Sequence, residues 1–166
     1  YNTLLKNADI ALYRSKELGR NSYHFFLPEF NENILHNTQL STDLHFALER
    51  NELILNYQPL VDLKSNKMIG AEALLRWQHP TFGLIPPNVI ISLAEKNGLI
   101  LSIGDWVLRT ACKQNKIWQD SYGNELRIAV NISGHQFQQS DFVDTVRNIL
   151  NETGLNPNSL ELELTE

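Results

Sequence analysis

Cysteine is nearly absent: Cys112 is the only one among 166 residues, so no disulfide can close within the chain. No charged-then-apolar leader opens it either, and a reducing, cytoplasmic setting is the expectation, with secretion disfavoured. Long apolar runs are missing. The longest, Val89 to Ala94, is already broken by Ser92, and a membrane-spanning helix needs roughly 18 to 20 apolar residues, so no membrane contact is expected within this chain. A basic cluster is missing as well. Lys and Arg number 14 against 19 Asp and Glu, and the whole imbalance sits in residues 137–166, which hold 1 of the bases and 6 of the acids. A protein that grips a duplex neutralises phosphates with a basic face, so double-stranded nucleic acid is a poor partner. No initiator methionine precedes Tyr1, and Glu166 falls inside an alternating segment, which reads as a piece of a longer protein.

What is present is ordinary for a globular chain: 42% hydrophobic and 20% charged residues, over about the length of one domain. Leu4, Leu5, Ala8, Ala11, Leu12 and Leu18 recur mostly at three- and four-residue steps before Gly19, which predicts an amphipathic helix. Tyr23 to Leu27 is a short aromatic strand candidate. Pro28 to Thr38 is polar and Asn-rich and suits a linker or a helix entry. Leu40, Leu44, Ala47 and Leu48 mark a second helix, ended by Arg50, Asn51 and Glu52. Strands and helices then alternate. Strands are expected at Leu53 to Leu63, Lys67 to Trp77, Arg127 to Ser133 and Leu160 to Glu166, with helices at Pro87 to Lys96, Ser102 to Trp118 and Asp141 to Thr153, the last closed by Gly154. That order argues for parallel α/β structure.

Side chains alternate across a strand with period two, which splits each strand into two faces. Glu72, Leu74 and Arg76 share one face of their strand. Arg127, Ala129, Asn131 and Ser133 share another, opposite Ile128, Val130 and Ile132; Glu161, Glu163 and Thr165 lie opposite Leu160, Leu162 and Leu164. An open parallel sheet covered on both sides reads as continuous apolar runs, and these strands do not. A barrel whose inner face holds chemistry near the carboxyl ends explains the alternation better. The alternative is a half-buried antiparallel sheet with one wet face, against which the intervening helices speak. If Glu72, Asn131 and Glu163 converge, they offer two carboxylates and an amide oxygen, a hard-oxygen set suited to Mg²⁺ or Mn²⁺ rather than zinc. Spacing alone does not show that they converge.

Several motifs in register then resemble a known family. Glu72-Ala73-Leu74-Leu75-Arg76-Trp77, preceded by Tyr57-Gln58-Pro59 and followed by His79-Pro80, Gly83 and Pro86, looks like the opening of an EAL domain, the cyclic di-GMP phosphodiesterase. Asn131-Ile132-Ser133 and Glu161-Leu162-Glu163-Leu164-Thr165-Glu166 resemble its next two motifs, in order. The match runs from about residue 37 to the end. Ala8-Asp9-Ile10-Ala11-Leu12-Tyr13, with Lys16 and Gly19-Arg20-Asn21, is similar to the last helix and turn of a GGDEF domain, the diguanylate cyclase module that often precedes EAL.

The resemblance implies residues 1–27 as a GGDEF remnant, 28–36 as linker and 37–166 as the amino-terminal half of a modified TIM barrel. The fold class is then α/β, a partial barrel preceded by a helix and a short strand. It implies metal ions, Mg²⁺ or Mn²⁺, that activate water to open cyclic di-GMP to pGpG. Carried over by motif, Glu72, Asn131 and Glu163 are metal ligands, Gln58 and Arg76 contact the ligand, and Glu166 supports an active-site loop. Leu75 falls on the opposite face and packs. The family also uses an aspartate pair, a lysine, and a later glutamate and glutamine. None lies within these residues, which supply about half of a barrel of ~250 residues. The chain alone is therefore expected to hydrolyse little or nothing, and its open edge favours dimerisation, aggregation or poor folding. Cyclase activity is excluded, because the GGDEF signature loop is absent. A degenerate EAL module that binds cyclic di-GMP or a protein partner without hydrolysis is the alternative.

Other conspicuous residues read as structural. Cys112 is a small packing residue in a helix. None of the five histidines shows ligand spacing, although His79 lies near the proposed site. Trp77, Trp106 and Trp118 suit core packing better than base stacking. Arg127 shares a face with Asn131 but sits at the other end of the strand.

Overall fold

A computed structural model of the chain describes residues 2–17, 21–123 and 126–165. It divides into two compact units, Tyr1–Asp43 and Leu44–Glu166. In the first, α1 (Asn2–Glu17) forms as the periodicity predicts. Leu18, Gly19 and Arg20, read as its end and turn, lie outside the described residues. The helix keeps Ile10, Ala11 and Ser15 buried but leaves Leu4, Leu5 and Leu12 exposed, so much of the expected apolar stripe is not covered.

The short strand expected at Tyr23 to Leu27 does not form. A strand exists only through the ladder that satisfies its N–H and C=O groups, and no described strand pairs with this one. Tyr23 and Phe25 are 82% and 80% exposed and rest edge to face, ring centroids 5.8 Å apart. The stretch read as linker or helix entry is helical from its first residue: α2 spans Pro28–Ala47. Proline is favourable at the opening position, where its missing N–H costs no helical bond. The helix ends at the polar turn expected, with Asn51 in the left-handed region at φ 56°.

In the second unit, β1 (Leu53–Asp62) and β2 (Lys67–His79) form an antiparallel hairpin. Asp62 organises its turn, its Oδ1 accepting from the Ser65 amide at 2.7 Å and the Ser65 hydroxyl at 2.6 Å. The chain then adds β3 (Gly83–Ile85), α3 (Pro87–Lys96), α4 (Ile100–Tyr122), β4 (Arg127–Ser133), the single turn α5 (Gly134–Phe137), α6 (Phe142–Thr153), a 3₁₀ turn at Pro157–Ser159 and β5 (Leu160–Thr165). Pro86 and Pro87 open α3. Gly123 and Gly154, at φ 67° and 68°, close α4 and α6 in the conformation that glycine adopts without a Cβ penalty.

The sheet order is β1-β2-β4-β5, with β3 paired to β2. β2, β4 and β5 run parallel, so their carboxyl ends share one rim. The result is a mixed α/β fold, an incomplete barrel with strands inside and helices outside. α4 lies against β4 and α6, and α3 against β2 and α4. The core between these layers holds Ala73, Trp77, Ile128, Val130 and Ile132 from the strands and Ile90, Ile103, Leu108 and Ile149 from the helices, all buried. Under the floor, Asn115 and Gln119 of α4 each donate to the Leu126 carbonyl, at 2.9 and 3.0 Å, fixing the entry to β4.

Candidate functional site

Register decides which side chains meet. β1 pairs Gln58 with Glu72, β2 pairs Glu72 with Ala129, and β4 pairs Ala129 with Glu161 and Asn131 with Glu163. Directly paired residues lie on the same face of a sheet. Gln58, Glu72, Asn131 and Glu163 therefore occupy one face, opposite the apolar residues that pack on the helices. Arg76 stands on that face as well, four residues beyond Glu72 towards the rim. The strand order brings Glu72 and Asn131 into contact: the Asn131 Nδ2–H donates to Glu72 Oε1 at 2.8 Å. With its N–H so used, the amide turns its oxygen free to act as an acceptor or metal donor.

A glycine sets the approach of the strands. A Cβ on Gly70 would sit 2.4 Å from the Arg127 carbonyl oxygen, so only glycine lets β2 come this close to β4. The ladder between them runs from Gly70 and Arg127 to Ala73 and Val130 and then stops. Above that point a cavity of ≈ 500 Å³ opens between the strand ends and α3 and α4, lined by Leu74, Ile91, Ile103, Asn131 and Gln136 among others. At the end of β4, Ser133 caps α5. Its hydroxyl accepts from the Gln136 amide while the Gln136 side chain accepts from the Ser133 N–H, a reciprocal capping box.

The charge on this face is graded along the strands. At the floor, Arg127 Nη1 lies 3.7 Å from Glu161 Oε2, so this arginine is engaged away from the rim, as its place at the far strand end suggested. Arg76, half-buried, has one Nη1–H on the Leu75 carbonyl at 2.8 Å and other guanidinium N–H groups to offer. Among the described residues no three His, Cys, Asp or Glu side chains cluster as a metal site. A cation here would need the Asn131 amide oxygen beside the Glu72 and Glu163 carboxylates. That all-oxygen set fits a hard divalent ion.

Glu166 lies outside the described residues. His79 is buried, its Nδ1 accepting from the N–H groups of Thr81 and Phe82 at 3.1 and 3.2 Å, and it packs edge to face on Trp77 and at a tilt on Phe82; it shapes the turn after β2. Cys112 is buried in α4, and burial pushes its thiol up to about 11. Tyr57, packed edge to face on Trp118 at 4.8 Å, is pushed by burial to about 12. Neither belongs to the site. Sequence reasoning missed Gln136, whose signal was present as Ser133-Gly134-His135-Gln136, the S-x-x-Q pattern of a capping box.

A family model described as the EAL domain matches residues 41–166, beginning inside α2. The chain is 50% identical over 163 residues to the bifunctional diguanylate cyclase/cyclic di-GMP phosphodiesterase MucR of Pseudomonas aeruginosa, covering 98% of this chain and 24% of that protein. It is 41% identical over 163 residues to the cyclic di-GMP phosphodiesterase NbdA of the same organism, covering 98% of this chain and 21% of that protein. Its fold is similar to the solved PaMucR phosphodiesterase in complex with c-di-GMP, with a TM-score of 0.74 and 52% identity over 77% of this chain and 52% of that one. The chain thus spans about a quarter of the length of those curated relatives and about half of the solved chain.

Proposed function

The chain belongs to the EAL domain family, and from that premise we propose that it supplies the amino-terminal half of a metal-dependent site that hydrolyses cyclic di-GMP to linear pGpG. The observation that carries this reading is the Asn131–Glu72 hydrogen bond at 2.8 Å, with Glu163 in register beside Asn131. Glu72, Asn131 and Glu163 hold Mg²⁺ or Mn²⁺. The bound cations supply Lewis acidity at the phosphoryl oxygens and an acidified water. Asn131 fixes the Glu72 carboxylate by donating to it. Arg76 points its remaining N–H groups at a phosphate oxygen, a charge-assisted contact that suits guanidinium geometry. Gln58, exposed beside Glu72, contacts the ligand from β1, and Glu166 supports a loop over the site.

Residues 1–27 are the end of a GGDEF domain, and 28–36 join it to the EAL part through α2. Support comes from the MucR match, which covers 98% of the chain and so extends ahead of residue 41, where the EAL model starts. These 166 residues alone hydrolyse little or nothing, because the family's aspartate pair and lysine are not among them.

The test compares purified residues 1–166 with the full-length protein for cyclic di-GMP hydrolysis in Mg²⁺ and in Mn²⁺. The full-length protein is expected to yield pGpG, its E72Q and E163Q variants to lose turnover, and residues 1–166 to show none. Robust turnover by residues 1–166 overturns the half-site reading, and undiminished turnover by E72Q or E163Q overturns the ligand assignment.

A further inference from the structure

We infer that Gln136 is a positioning residue for Asn131, acting through the end of β4 and held in place by the bare backbone of Gly104. The inference rests on the reading of Asn131 as a metal ligand. β4 has strand neighbours on both sides only as far as Val130; from Asn131 onward it keeps β5 but has no register with β2. The ligand thus sits on the part of the strand that is supported from one side. Gln136 takes over the missing side. Its Oε1 accepts from the Ser133 N–H at 3.1 Å and from the Ser133 hydroxyl at 3.2 Å, while the Ser133 hydroxyl accepts from the Gln136 N–H at 3.2 Å. Ser133 lies two residues beyond Asn131 on the same face, so the three bonds tie down the backbone that carries the ligand.

The amide is wedged rather than loosely placed. Gln136 is buried, and a Cβ on Gly104 would stand 1.9 Å from its Nε2 and 2.5 Å from its Cδ. Glycine inside a helix is otherwise disfavoured relative to alanine. Here it lets α4 press on the glutamine amide without displacing it. Asn131, Ser133, Gln136 and Gly104 all line the same cavity, so the box stands at the edge of the open space that Asn131 faces.

Three variants separate positioning from general stability. Q136A removes the acceptor. G104A leaves Gln136 in the sequence but drives its amide off Ser133, while alanine favours the helix that contains it. Q136E keeps the acceptor in the S-x-x-E form of the same box. In the full-length protein, Mn²⁺ affinity is read by electron paramagnetic resonance, together with Tm and with kcat and KM for cyclic di-GMP. Q136A and G104A are expected to weaken Mn²⁺ binding about tenfold, the scale on which groups orienting a ligand act. The loss appears in kcat at limiting metal, with KM nearly unchanged and excess Mn²⁺ restoring turnover. Q136E stays within about twofold of the parent, and G104A shows its tenfold loss without a matching fall in Tm. If N131A leaves Mn²⁺ affinity unchanged, the ligand reading fails. If N131A weakens it but folded G104A and Q136A do not, or if every loss merely follows Tm, Gln136 has no positioning role. Should Q136A fail to fold, G104A decides.

Discussion

Replacing Gly70 with alanine tests whether the close approach of β2 to β4 builds the site. The added Cβ would stand 2.4 Å from the Arg127 carbonyl oxygen and 3.1 Å from its carbon, the first about 1 Å inside ordinary van der Waals contact. The obstacle is backbone, so no rotamer change relieves it, and β2 has to move away from β4. Overpacking of this kind costs about 1 to 3 kcal/mol, and a rigid obstacle puts this case at roughly 2 to 3. At ~2 to 4 °C per kcal/mol for a chain of this size, Tm falls by roughly 4 to 12 °C. The ladder that opens is the short one from Gly70 to Ala73, and the Asn131–Glu72 bond spans it, so Mn²⁺ affinity should fall along with Tm. Urea unfolding followed by tryptophan fluorescence reads the correct unit, since Trp77, Trp106 and Trp118 all lie in Leu44–Glu166. G134A is the control: nothing lies within 4 Å of its Cβ, and it should unfold with the parent. A G70A midpoint equal to that of G134A would falsify the steric account.

Trp77 is fully buried and its indole N–H donates to Glu52 Oε2 at 3.0 Å; W77F keeps an aromatic ring but removes that donor, and should cost about 1 to 3 kcal/mol in urea unfolding. A W77F curve that overlays the parent's rules this out. The folded state holds the Cys112 thiol protonated up to about 11, so its contribution to stability is complete below the ordinary thiol value of ~8.5 and is lost as pH rises through the folded value. At pH 8 an aromatic disulfide reagent should label Cys112 only as the protein unfolds; labelling at the rate of a free thiol contradicts its burial. Asp62 is held below the usual carboxylate range by the Ser65 hydroxyl and amide. Its support of the hairpin turn is present above an unfolded value of ~3.9 and fades as pH falls through the lower folded one. The Ser65 amide shift, followed by NMR, should move in that acid window in the parent and stay flat in D62N.

Much of the second unit could be read from the sequence because local rules and global packing agree there. Two prolines open α3, glycines close α4 and α6, and period-two alternation bounds β4 at Arg127 and Ser133 as observed. Alternation also placed Glu72, Asn131 and Glu163 on the polar faces of their strands, which the register joins into one. It could not show that Asn131 donates to Glu72, because their sequence separation of 59 is bridged by register between strands. Tyr23 to Leu27 failed for the opposite reason: its pattern is strand-like, but a ladder needs a partner. β3 is three residues long, too short for any period to register. The polar opening of α2 hid a helix whose cue was Pro28. Gly70 and Gly104 advertise close approaches in the sequence, yet the atoms approached, a carbonyl on β4 and an amide beyond it, come from elsewhere in the chain.

β1 runs antiparallel to β2, and this reversal fixes where the backbone enters the sheet. Its first residues lie at the rim, Leu53 opposite Trp77 and Ile54 opposite Arg76. Just ahead of them, Glu52 accepts the Trp77 indole through its side chain and the Gln78 amide through its carbonyl, the latter at 2.8 Å. The chain therefore joins the sheet at the mouth, pinned to the strand end that carries Arg76, and reaches the floor only after the whole length of β1.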